Sequence, residues 1–100
     1  MSAAQVRETV GRLERELEQD RGRLQKATEQ REQLDRELGD ADPDAETPFA
    51  GLVARWAMAR DHVAAFELRV RLGRAQLERG RAVLWDADQS AARAQGWGPW

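Results

Sequence analysis

The sequence contains no cysteine. Disulfides and thiolate metal sites are therefore excluded, and no redox signature of compartment remains to be read. No apolar run reaches the length of a membrane span, and the opening "MSAAQVRETVGR" lacks the apolar stretch of a secretory signal. The expected address is the cytoplasm, without a membrane span. Histidine occurs once, at His62, and no Ser–His–acid set, Glu-x-x-His pair or glycine-rich phosphate loop accompanies it. A lone histidine beside an apolar seam is read as a solvated or hydrogen-bonded structural residue. The expectation is a protein without catalytic residues, cofactor or metal. The Asp-rich stretch "GDADPD" offers a weak second reading as a cation loop, against its ordinary reading as a solvated turn.

What is present is charge and alanine on a helical frame. Hydrophobic residues make up 41% and charged residues 34% of 100 residues, too apolar for disorder and suited to long amphipathic helices in one small domain. Fifteen arginines against one lysine, with abundant alanine, read as the codon bias of a GC-rich, bacterial genome. The net charge of −2 conceals an asymmetry. Residues 1–48 carry thirteen acidic and eight basic side chains, whereas residues 49–100 carry five acidic and eight basic. Halves of opposite sign favour two segments folding onto each other.

The first helix is predicted over about residues 3–38. Ser2 followed by Gln5 is a capping-box pattern, and Gly39 is the expected C-terminal cap. Its apolar positions are Val6, Val10, Leu13, Leu17, Leu24, Ala27, Leu34 and Leu38, with Asp20 and Arg31 filling a strict alternation of four- and three-residue steps. That is the heptad of a coiled-coil seam. A polar loop over 39–47 follows, with Thr47–Pro48 as N-cap and first turn of a second helix over about 48–95. The second seam runs Leu52, Trp56, Ala59, Val63, Phe66, Val70, Gly73, Leu77, Gly80 and Leu84.

Facing positions in an antiparallel hairpin should add to a constant. From Leu38 with Leu52 to Val6 with Leu84, each pair adds to 90. Gly73 falls opposite Leu17 and Gly80 opposite Val10, which predicts that these glycines make room for larger side chains. Flanking charges give Glu14 with Arg74, Arg21 with Glu67, and Glu37 near Arg55. Asp20 is expected to reach Arg23 or Arg69, and the Arg31 guanidinium to lie over Trp56. The fold expected over residues 1–95 is thus all-α: an antiparallel two-helix coiled-coil hairpin that dimerises into a four-helix bundle.

The dimer is expected because a two-helix hairpin buries little on its own and the second helix carries a second apolar stripe. Met58, Ala65, Leu68, Leu72, Ala75 and Ala82 recur on its back. The first helix has nothing similar on its outer face. Homodimers are the commonest way to cover such a stripe. Residues 85–95, including Trp85, are expected to overhang the first helix by roughly 15 Å at 1.5 Å per residue. The tail over 96–100, "GWGPW", adds Trp97 and Trp100, a residue type enriched at binding hot spots. The candidate partner-binding residues are therefore Trp85, Trp97, Trp100, Met58, Leu68 and Leu72. The function expected is a non-catalytic protein–protein interaction module, binding itself, a larger protein, or both.

Two alternatives belong beside it. Arg55, Arg60, Arg69, Arg71, Arg74, Arg79 and Arg81 share the second helix, as in a regulatory nucleic-acid binder. No aromatic residues interleave with them as a stacking platform, and the overall charge is negative. In length and hairpin outline the chain also resembles the small helical-hairpin substrates of type VII secretion, which implies export and action outside the cell. It departs from that family's motifs. The turn "GDADPDAETP" has no Trp-x-Gly, Trp97–Gly98 lies at the other end, and Trp85 is followed four residues on by Gln89 rather than by an acid.

Overall fold

The fold is that of a computed structural model, which describes residues 2–96. It is all-helical among those residues, with two long helices, α1 (Ala3–Asp40) and α2 (Glu46–Ala94), and no strand. This is consistent with a helical hairpin. The chain divides into two compact units: one joins residues up to Glu18 with those from Arg71 onward, and the other is Gln19–Val70.

Local chemistry sets the helix ends. Ser2 Oγ accepts from the Gln5 amide at 3.1 Å while Gln5 Oε1 accepts from the Ser2 amide at 2.9 Å, so two donors at the α1 start are satisfied reciprocally. Gly39 is not a cap. It lies inside α1, and the last turn closes where the Ala41 amide donates to the Leu38 carbonyl at 3.3 Å. Asp42–Ala45 then forms a turn, the Ala45 amide donating to the Asp42 carbonyl at 3.1 Å and the Asp44 amide to Asp42 Oδ1 at 3.0 Å. Asp at the first and Pro at the second position suit such a turn.

Thr47 is not the N-cap either. α2 begins at Glu46, and the Ala45 carbonyl accepts its first helical bond, from Phe49 at 3.0 Å. Pro48 still falls in the first turn, where its missing N–H costs nothing because those amides have no intrahelical acceptor. At the other end Gly96 has φ of 82°, a left-handed conformation that glycine adopts without strain, and its amide donates to Arg93 at 3.0 Å.

In the unit built from the chain ends, Val6, Val10 and Leu17 of α1 are buried, with Leu77 of α2, while Leu13 and Leu84 are half-buried. The glycine reading holds here. A Cβ at Gly73 would lie 3.2 Å from Leu17 Cδ1, and one at Gly80 would lie 3.2 Å from Val10 Cγ2 and 3.6 Å from Leu13 Cδ1. The ion pairs shift from their expected partners. Glu14 meets Arg81 at 3.7 Å rather than Arg74, because long flanking side chains reach diagonally past the residue directly opposite. Arg7 meets Asp88 at 3.0 Å, so a side chain of α1 reaches the fourth residue of the stretch expected to overhang it.

In the Gln19–Val70 unit the buried residues are Ala27, Leu34, Leu52, Ala59, Val63 and Val70. Leu34, Leu52 and Ala59 form one cluster, with Leu38, Ala41 and Trp56 packed against it. Asp20 sits on the seam, its side chain 13% exposed, and reaches both of the arginines expected as alternatives, Arg23 at 3.2 Å and Arg69 at 3.6 Å. Neither Arg21–Glu67 nor Glu37–Arg55 closes to an ion pair among the described residues.

Candidate functional site

The expected partner-binding residues fall into two groups. Trp97 and Trp100 lie outside the described residues. The other four are all on α2 and all exposed. In the Gln19–Val70 unit Met58 is 60% and Leu68 50% exposed; in the other unit Leu72 is 54% and Trp85 63% exposed. Large apolar side chains at these levels on a helix whose other side is buried are the least explained part of the sequence if the chain acts alone.

Their exposure follows from angular position. Successive residues turn 100° about a helix, so Leu68 lies five residues, and most of half a turn, away from the buried Val63. Leu72 stands similarly to the buried Leu77. Trp85 is one residue past the half-buried Leu84, hence turned to the flank. Its exposure is set by that angle and not by α1 running out, since Arg7 reaches beyond it to Asp88.

Two apolar side chains were not picked out by periodicity: Val53, 39% exposed, and Val83, 51% exposed. Val83 is adjacent to Ala82 of the stripe and would have been found by widening the stripe by one residue. Asp61 is likewise outside the stripe that periodicity picks out, and Arg79 enters the sequence reading only among the arginines of the second helix. Asp61 and Arg79 lie on that side of α2 and are exposed. Among the described residues Asp61 pairs with its chain neighbour Arg60, at 3.6 Å, and Arg79 makes no ion pair.

Trp56 stands apart from the exposed tryptophan. It is half-buried against the Leu34–Leu52–Ala59 cluster, and its indole N–H donates to Asp35 Oδ1, so the one polar atom of the ring is satisfied. The cation over its face is Arg60, 5.2 Å from the ring centroid, and not Arg31. Arg60 lies one turn along the same helix and needs no help from α1 to reach the ring. This constellation belongs to the core.

His62 is exposed, and no set of three acidic or histidine side chains among the described residues is close enough to hold a cation. The carboxylate of Asp42, in the Asp-rich turn, is engaged by the Asp44 amide. Of the seven arginines named on α2, Arg69 and Arg81 meet acids of α1. A surface depression lined by Glu8, Thr9, Arg12 and Arg15 mixes both signs of charge, and the Thr9 hydroxyl donates to the Gln5 carbonyl at 3.0 Å. No protein-family model, curated protein or solved structure matches the chain.

Proposed function

We propose that the protein is a non-catalytic interaction module whose helices pack as a coiled-coil hairpin and which self-associates through the back of α2, two hairpins forming a four-helix bundle. The observation that carries this reading is the exposure of Met58, Leu68 and Leu72, each half or more open to solvent on the side of α2 away from its buried seam. A helix that is apolar on two sides is ordinarily covered on two sides. Trp85 and the tail tryptophans Trp97 and Trp100 extend the proposal to a larger protein partner, since aromatic side chains supply contact area at low entropic cost. The cytoplasm is the proposed place of action.

The test is the Leu68→Glu, Leu72→Glu double variant. It should keep its helical circular dichroism at high concentration while light scattering shifts from the mass of a dimer to that of a monomer. A wild-type chain that is monomeric at tens of micromolar would overturn self-association and leave the stripe to a different protein.

A further inference from the structure

The back of α2 is a complete heptad seam once its charged members are counted. Asp61 and Arg79 fill the gaps between Met58 and Ala65 and between Ala75 and Ala82, so the steps become four and three throughout, and all of these residues are exposed. Any such seam can face a copy of itself in several ways, and the charges choose among them.

In a parallel pair Asp61 would meet Asp61 and Arg79 would meet Arg79, two repulsions in the middle of an apolar seam. An antiparallel pair slipped by one heptad sets Asp61 against Leu72 or against Asp86. Only when facing positions add to 140, symmetric about Val70, does Asp61 meet Arg79 of the other copy, and symmetry makes that attraction twice. The same register sets Met58 on Ala82, Ala65 on Ala75 and Leu68 on Leu72, so the bulkiest outer side chain meets a small one and the leucines pack at the centre. From this complementarity we infer that the covering partner is a second copy of the chain, with α2 antiparallel to α2 about Val70 and an Asp61–Arg79 pair closing each side of the leucine centre.

The inference rests on self-association through this face and adds its direction and register. The cysteine-free chain makes the test direct. Full-length Ala65→Cys and Ala75→Cys are oxidised separately and as a mixture. The mixture should form a cross-linked dimer and neither variant alone should, because like positions stand ten residues apart along the axis, about 15 Å, beyond disulfide reach. Asp61→Arg should weaken dimerisation by about tenfold, and adding Arg79→Asp should restore it, since each reversed charge again faces its opposite. Cross-linking of either single variant with itself would show parallel pairing and overturn the inference. So would a dimer by mass whose mixed variants do not cross-link, or a double reversal no tighter than Asp61→Arg; in both cases self-association itself would stand. A chain monomeric by mass at every concentration would overturn both.

Discussion

The glycines of this chain separate two effects that usually arrive together. Replacing a helical glycine by alanine stabilises a helix by about 1 kcal/mol when nothing opposes the new methyl group. Gly22 is that case: apart from its chain neighbours and the backbone of its own helix, no atom among the described residues lies within 4 Å of its added Cβ. At Gly73 the Cβ would press on Leu17 Cδ1 at 3.2 Å, the far end of a side chain that can turn about two bonds, though it is buried. At Gly80 the contact at 3.2 Å is with Val10 Cγ2, and a β-branched side chain in a helix has essentially one rotamer. The order expected from denaturant titration is Gly22→Ala gaining about 1 kcal/mol, Gly73→Ala gaining less than half of that, and Gly80→Ala losing stability. If Gly80→Ala gains as much as Gly22→Ala, Gly80 is not matched to Val10.

At the scale of the element, α1 begins on two reciprocal hydrogen bonds between Ser2 and Gln5. Ser2→Ala should cost about 1 kcal/mol and raise amide exchange in the first turn, whereas Ser2→Asp should hold stability within a few tenths. Equal exchange in both variants would mean the box is not populated in solution. This start was legible because a capping box is local, three residues wide. The seams were legible for a related reason: burial with a 4–3 period is imposed by helix geometry, and the predicted seam positions of α1 and α2 are all buried or half-buried. Gly39 and Thr47 were misread because cap preference is only a tendency. Nothing local distinguishes a helix that stops at Leu38 from one that continues two residues to Asp40. Flanking pairs such as Glu14 with Arg81 escaped because arginine reaches more than one opposing residue. Met58, Leu68 and Leu72 are exposed on α2, and periodicity within one chain carries no information about whether another molecule covers them.

Consequences for the whole molecule follow from how little is fully enclosed. Among the described residues ten apolar side chains are buried, all of them Val, Leu or Ala, whereas the larger Trp56 and Phe66 are only half so. A small domain with such a core is marginal, and covering the back of α2 would add apolar burial of about 25 cal/mol per Å². Folding linked to self-association makes stability depend on concentration, because dissociation and unfolding then draw on the same equilibrium. The melting temperature should rise by about 3–5 °C for each tenfold increase in protein concentration, the shift expected when mass action contributes about 1.4 kcal/mol to a dimer of this size. Leu68→Glu with Leu72→Glu should melt lower and lose that dependence, since the glutamates leave the buried seam residues unchanged and alter only the face that the proposed second copy would cover. Scanning calorimetry across two decades of concentration decides it. A wild-type melting temperature that stays constant would mean that each chain's own core suffices, and that the apolar back of α2 serves a partner that binds after folding is complete.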